Sequence, residues 1–597
     1  MTAAEIIANL QRAVALHQAG QLGQAEKLYR EVLRRAPEQP DALNLLGLIL
    51  HSRGKKKEAL AHYDRALRAV PHLAPVHFNR AITLIDLDRV DEAEAAYEEA
   101  IKAKPDYADA LLNYGGIAFK RKDYAAAANR FRDMTQKCPL DPRGFRNLGQ
   151  TLSDTNDTAG AAAAYAQASL LNPKDTDTLI KLANCYADLE KFEDAVSVIK
   201  RAIVLEPGNG EIYSNLGNWL GALERYPEAF AAHDESCRIA PMRPEFFFNA
   251  ANVRLAAGEL ETAVTLFKRV IELNPDYIAA YVNAGEALKA LGRFDDAINL
   301  LDASLARAPE NVAAQINKAV ALSSKGVAQG DTGQYREALA DVDPALALLD
   351  KILEHDPGNS EALTRRAAIL NNQAEALNNL ANVDGALAAY DKALISDASP
   401  SGKLSAELIK SNKAVTLLSA GRFAEAWPLY RYRFADPAIT GGNRAFPYPE
   451  WRGEPLVGKK LLLWADQGIG DEVLYANMLP DVVGLGPSKC ILECAPRLVN
   501  LFQRSFPSIQ VVPRTHPVQP AIAEFCPDYQ SSITDLGEYV RPRAESFPMH
   551  TGYLHADASK RDIFRAKYET LAQGRKIVGI SWHSASPLTG KYKSLPL

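Results

Sequence analysis

The chain has 597 residues, 47% hydrophobic and 24% charged, with 68 basic and 73 acidic side chains and a net charge of -5. This composition excludes wholesale disorder, and the lack of excess positive charge excludes a dedicated nucleic-acid binder. No apolar run approaches the roughly 18 residues of a membrane span, the N-terminus has no basic region of a signal peptide, and six scattered cysteines form no disulfide framework, so a reduced, cytoplasmic protein is expected.

From the N-terminus, prolines recur every 34 residues, at Pro37, Pro71, Pro105, Pro139, Pro173, Pro207, Pro241, Pro275 and Pro309. Twelve residues before each stands an alanine, from Ala25 and Ala59 to Ala297, and twelve before that a second small residue, from Ala13 and Gly47 to Gly285. A bulky residue follows the alanine twelve before the proline by four, as at Tyr29, Tyr63, Tyr97, Phe131, Tyr165 and Phe267. A 34-residue unit accommodates two helices of about 14 residues with short turns. Small residues let the two helices, A and B, approach closely, the bulky residue fills the space beside them, and proline stops helix B. One pair cannot bury its own apolar face, but stacked pairs can. These residues closely resemble the tetratricopeptide repeat.

The spacing loosens after Pro309. From Ala319 to Ala338, from Ala338 to Pro357 and from Ala367 to Ala386 it is 19 residues instead of 12. Seven extra residues are close to two helical turns, so protruding helices are expected in repeats ten and eleven. The loop Ser399-Pro400-Ser401-Gly402 then precedes a twelfth repeat marked by Ala414, Gly421, Ala426 and Tyr430. An all-α superhelix of about twelve repeats over 1–435 is expected, regular to 311, extended over 312–400 and closing with 405–435.

Two residues before the first small position of helix A stands asparagine: Asn79, Asn113, Asn147, Asn215, Asn249, Asn283 and Asn317, with Lys181 breaking the series and Asn412 resuming it. In such a superhelix this position lines the concave surface. A carboxamide offers a donor and an acceptor that match a peptide unit, so a protein or peptide ligand in the concave groove is the expected partner. The array is in this respect similar to the repeat superhelix of the eukaryotic O-linked N-acetylglucosamine transferase. Local bonds bracing adjacent repeats are the alternative role for these residues.

After Pro437 the composition changes. Residues 436–458, rich in Gly, Pro and aromatics, read as an ordered linker. Lys459 to Ala465 reads as a buried parallel strand, leading through Asp466-Gln467-Gly468-Ile469-Gly470-Asp471-Glu472 into a helix that runs to Pro480; small residues here are expected to allow a tight turn. Cys490–Cys494 reads as the next strand, Pro496 to Ser505 as a helix and Ile509–Val512 as a third strand. This alternation implies a doubly wound parallel sheet. The turn is neither a dinucleotide fingerprint nor a P-loop, and Cys490 and Cys494, on one face of a strand, are not a zinc site.

Trp451-x-Gly453, a strand, then Gln467-Gly-Ile-Gly-Asp471 and a helix resembles bacterial repeat-linked glycosyltransferase-like domains, relatives of the heptosyltransferases. Gly552-Tyr553-Leu554 and Val578-Gly579-Ile580-Ser581-Trp582 match further landmarks. The resemblance implies the first Rossmann-like half of a GT-B fold over 459–573 and the start of a second half at 574–597. It implies Asp471 as the general base toward an acceptor hydroxyl, with helix-capping as the alternative role. Gln467, Gly468, Gly470, His583 and Lys593 are the implied substrate or anion contacts. Only fifteen residues follow Trp582, whereas a Rossmann half needs roughly 100. The donor-binding half is therefore expected to be absent from this sequence, with no cofactor or metal and a nucleotide-sugar donor only if the domain is completed. Two functions stay open: a repeat superhelix presenting a protein acceptor for sugar transfer, or a non-catalytic scaffold.

Overall fold

The computed structural model describes residues 3–396, 406–435, 444–548 and 552–573, in two compact units, Met1–Leu291 and Gly292–Leu597. Among these residues no helix is long and apolar enough to cross a membrane. The first unit holds eight complete helix pairs, from Ala3–Gln18 with Leu22–Arg35 to Pro244–Ala256 with Leu260–Leu273, and helix A of the ninth, Ile278–Ala290. Helix B of the ninth repeat, Phe294–Arg307, opens the second unit.

Each helix pair follows from local chemistry. In Leu22–Arg35 the buried residues are Ala25, Tyr29, Val32 and Leu33, a stripe with helical period. One residue separates the end of helix B from the repeating proline. A proline ring disfavours the α region in the residue ahead of it, and Val70, Lys104 and Asn274 accordingly sit in the extended region. Helix A ends in a left-handed residue. Gly54 has a φ of 77°, and the Lys55 N–H reaches back to the Leu50 carbonyl at 2.9 Å, which closes a Schellman turn. Asp88, Lys122, Asn156, Glu190 and Glu224 take the same left-handed conformation without being glycine.

The small and bulky positions meet inside each pair. A Cβ on Gly47 would lie 2.4 Å from the Tyr63 ring, and one on Gly115 would lie 2.5 Å from Phe131. Both rings are buried.

In the second unit the inserted residues lengthen three consecutive helices. Val312–Asp331, Tyr335–His355 and Ser360–Asn379 have 20, 21 and 20 residues, against 13 and 14 in the regular pair Ile278–Ala290 and Phe294–Arg307. Val383–Ser396 returns to 14. The loop residues Ser399 to Gly402 lie outside the described residues. Ala406–Ser419 and Phe423–Tyr430 form the last helix pair.

Four parallel strands follow: β1 (Lys460–Trp464), β2 (Lys489–Cys494), β3 (Ile509–Pro513) and β4 (Tyr529–Ser532), in the order β3-β2-β1-β4. Leu461 and Leu463 face one core, Leu462 and Trp464 the other, which explains the unbroken apolar run of β1. Cys490 and Cys494 do share one face. Three features differ from the sequence reading. The helix toward Pro480 is not continuous: Ile469–Tyr475 gives way to a 3-10 turn, and Pro480 opens the next helix, Leu479–Gly484, where its missing N–H costs nothing. β4, polar in sequence, is recruited by pairing with β1. Residues 444–458, read as a linker, belong to the sheet: Trp451 and Leu456 are buried in its core, and Glu450 bridges to Gln530.

Three repeats have neither Tyr nor Phe at the bulky position: Ile199 and Leu301 keep it apolar, and one repeat places a histidine there. His233 occupies the bulky position against Gly217, fully buried, with neither ring nitrogen hydrogen-bonded. Burial, and then the Arg254 charge, pushes its imidazole down to about 4 from 6.5. Between those values the unfolded chain binds the extra proton, so stability is complete above pH 6.5 and falls as pH falls. The loss at pH 5 amounts to about 2 kcal/mol. His233→Phe, which copies the Gly115–Phe131 pair, is expected to raise the melting temperature and to remove most of its decline between pH 7 and pH 5 in calorimetry. An unchanged pH profile in the variant would assign the decline to other groups.

Candidate functional site

The asparagine positions are half-buried on helix A, and each side-chain N–H2 is committed within the chain. In the first unit, Asn79 donates to Asn44 Oδ1 at 2.9 Å, Asn215 to Asn184 Oδ1 at 3.4 Å, Asn249 to Ser214 Oγ at 3.0 Å and Asn283 to Asn252 Oδ1 at 2.7 Å. Each of these acceptors stands on helix A of the preceding repeat. Asn113 donates to the Tyr97 hydroxyl and Asn147 to the Arg143 carbonyl. In the second unit Asn412 donates to Asn371 Oδ1 at 3.1 Å, and Asn317 to the Ala313 carbonyl.

The series therefore does not present free donor–acceptor pairs, as the sequence reading supposed. One edge of six of these amides braces neighbouring repeats, and at Asn147 and Asn317 it bonds a carbonyl of the same helix. The other edge is different: none of the eight Oδ1 atoms accepts a hydrogen bond from a described residue. What the positions present is a series of carbonyl acceptors of fixed orientation. Lys181, at the same position, keeps the brace by donating to Gln150 Oε1 at 2.9 Å on the preceding helix A, but it carries no acceptor.

The carboxyl edge of the sheet, where open α/β sheets bind ligands, holds the second group of candidates. Gln467, Gly468, Gly470 and Asp471 lie together in the turn after β1. Gln467 donates its amide to the Tyr430 hydroxyl at 2.9 Å, so the last repeat already holds it. Neither glycine has a positive φ, so the turn does not need glycine for its backbone. Their effect is space: a Cβ on Gly470 would meet nothing within 4 Å, and one on Gly468 would meet only the Asp471 carboxylate. Asp471 is half-buried in the first turn of its helix, with no hydrogen bond or ion pair to a described residue. His583, Lys593 and the strand expected from Lys576 lie outside the described residues.

Sequence reasoning missed the buried charges along this edge. Arg433, in the 3-10 turn Arg431–Ala435, is fully buried between Asp466, at 2.6 Å, and Asp535, at 2.5 Å. Burial opposes its charge, but the two carboxylates outweigh burial and hold the guanidinium protonated. Burial raises Asp535 despite Arg433. Arg444 clasps Glu493 of β2 at 2.9 and 2.5 Å. Glu472, raised by burial, pairs with Arg514 and accepts the Ala495 N–H at 2.9 Å. One signal was readable: Glu493 interrupts the apolar run Cys490-Ile-Leu-Glu-Cys494, and a buried carboxylate requires a partner.

Arg433 also fixes the last helix pair to the sheet. Around it, Trp427 donates to the Arg541 carbonyl at 2.8 Å, Arg431 pairs with Glu538 at 2.6 Å, and Gly537 leaves room for the Trp427 ring. Arg433→Met leaves Asp466 and Asp535 without their cation, at a cost of about 3–5 kcal/mol. The fluorescence transition of Trp427, Trp451 and Trp464 is expected to move to lower temperature, while the helical circular dichroism of the first unit persists. A tryptophan transition at the wild-type temperature would show that the junction does not depend on this pair.

Two family models, both described as tetratricopeptide repeat, match residues 10–74, 78–142 and 208–278, and residues 152–220 and 254–324, together about half of the chain. Protein FlbA of Caulobacter vibrioides is 36% identical over 198 residues, which are 31% of this chain and 33% of that protein. The match thus spans about a third of the relative's length. Among solved structures, the MamA protein is 23% identical, with a TM-score of 0.27 and coverage of 28% of this chain and 91% of that one. YrrB, described as a TPR protein with an unusual peptide-binding site, is 23% identical, with a TM-score of 0.27 and coverage of 34% and 97%. Yeast Tom70 is 16% identical, with a TM-score of 0.30 and coverage of 73% and 98%.

Proposed function

Since this chain belongs to the tetratricopeptide-repeat family, we propose that its repeats are a protein-interaction scaffold that holds an extended polypeptide along the A helices. The observation that carries this reading is the series of asparagine Oδ1 atoms with no hydrogen-bond partner among the described residues. An extended peptide offers backbone N–H groups with no bond of their own, and these acceptors suit them without reading sequence. The hydrogen bond on the opposite edge of each amide holds the acceptor still, so little rotamer freedom is lost on binding.

A second reading attaches to the sheet, which we propose is the acceptor-side half of a glycosyltransferase-like domain. Its support is the strand order β3-β2-β1-β4 and Asp471 at the carboxyl end of β1, which has no hydrogen bond or ion pair among the described residues. Transfer would need a nucleotide-sugar donor, and Asp471 would take the acceptor hydroxyl proton. An acceptor-side half does not hold the nucleotide, so these residues are expected not to bind UDP-, GDP- or ADP-sugars in calorimetry; micromolar binding would overturn the assignment to the acceptor side.

The scaffold reading has its own test, built on Lys181. The triple variant Asn215→Lys, Asn249→Lys, Asn283→Lys keeps donors for the brace and removes three acceptors. Each net hydrogen bond is worth about 0.5–1.5 kcal/mol, so binding to an array of uncharged 12-residue peptides is expected to weaken about tenfold or more. The melting temperature is expected to stay within a few degrees of wild type. The corresponding triple alanine variant, which loses brace and acceptor, is expected to lose both stability and binding. Wild-type peptide binding by the folded lysine variant would sink the proposal.

A further inference from the structure

The three lengthened helices do more than extend the surface. Their added turns line an open cavity of about 460 Å³, within the range of small-ligand sites. Gly326 and Gly330 on Val312–Asp331, Ala338 on Tyr335–His355 and Ala376 on Ser360–Asn379 leave the space. Val327, Val342 and the Tyr335 ring supply apolar wall. Two carboxylates, Asp331 and Glu375, face the same space, with Asn372 and Asn379 beside them.

The charges are unbalanced. No lining residue is basic, and neither carboxylate has an ion-pair partner among the described residues. Lys325, on the same helix as Gly326, is taken by Asp295 at 2.9 Å and Asp341 at 3.5 Å. Both carboxylates are exposed to solvent, and the atoms of the three long helices crowd around Glu375. That desolvation, and then the charge of Asp331, raises its carboxyl above the usual range, a penalty that a cation in the cavity relieves.

We propose that this cavity binds an organic cation, an alkyl-ammonium or alkyl-guanidinium group, with its charge at Asp331 and Glu375 and its stem against Val327, Val342 and Tyr335. Tyrosine faces also attract such cations directly. The group has two possible sources, a free amine or a Lys or Arg side chain of a peptide. The asparagine acceptors play no part here, so this site stands or falls independently of them.

Calorimetry on the full chain at low salt decides it, with agmatine as the free amine and a blocked Gly-Gly-Arg-Gly-Gly peptide as the side-chain probe. At least one is expected to bind with a Kd below about 1 mM. Tighter agmatine binding identifies a free amine, tighter peptide binding a side chain, and both uphold the site. The double variant Asp331→Asn, Glu375→Gln is expected to weaken binding tenfold or more. Gly330→Leu is a second variant that keeps both carboxylates. A Cβ there meets only the Tyr335 ring, at 3.9 Å, so leucine enters the cavity without a backbone clash. It also favours the helix, so the chain is expected to fold and to lose binding. If neither probe binds, or if both variants bind like wild type, the proposal is overturned.

Discussion

The array depends on one steric fact: inside a repeat, the bulky residue of helix B fills the space beside a glycine or alanine of helix A, and opposite a glycine it occupies the volume where any side chain would be. At Gly47, Gly115 and Gly149 even a methyl group would come within 3.0 Å of the ring of Tyr63, Phe131 or Tyr165. Atoms do not approach so closely, and packed interiors have no slack to absorb the clash. In these pairs two residues thereby set how closely the helices approach. Everything carried on helix A inherits its position from that contact, including the asparagines two residues away.

A different constraint governs the last helix pair and the sheet. There the contact is ionic and fully buried. Asp466 follows β1, Asp535 follows β4, and Arg433 comes from the end of the repeats. A buried pair of this kind adds little net stability, but breaking it is severe. Its effect is therefore on geometry. It permits one placement of the terminal helices against the sheet edge, with Tyr430 against Gln467 beside the turn that carries Asp471.

The repeats were legible because their signal is multiplied: position, size and proline recur, and each recurrence has a steric cause. The lengthened helices were legible as a count of seven residues, but not as a cavity. That depends on which small and acidic side chains meet across three helices, as Gly330, Ala338 and Glu375 do. The asparagines show the same limit. Their recurrence pointed to a common role, while sequence could not show that Nδ2 faces a neighbouring repeat and Oδ1 does not. In the sheet, the apolar runs of β1 and β2 announced themselves, whereas Tyr529-Gln-Ser-Ser became β4 only through pairing with β1. Arg433 and Asp466 stand 33 residues apart, and no periodicity connects them.

The left-handed residue between helices A and B varies along the first unit. The outer repeats have glycine there, at Gly20, Gly54 and Gly258, and the five between have Asp88, Lys122, Asn156, Glu190 and Glu224. A side chain in that conformation costs on the order of 1 kcal/mol, somewhat less for Asp and Asn. Because a repeat contacts only its neighbours, the cost is not shared along the rod. The five middle repeats therefore each carry a local strain that a glycine would relieve, a reserve of stability held one repeat at a time.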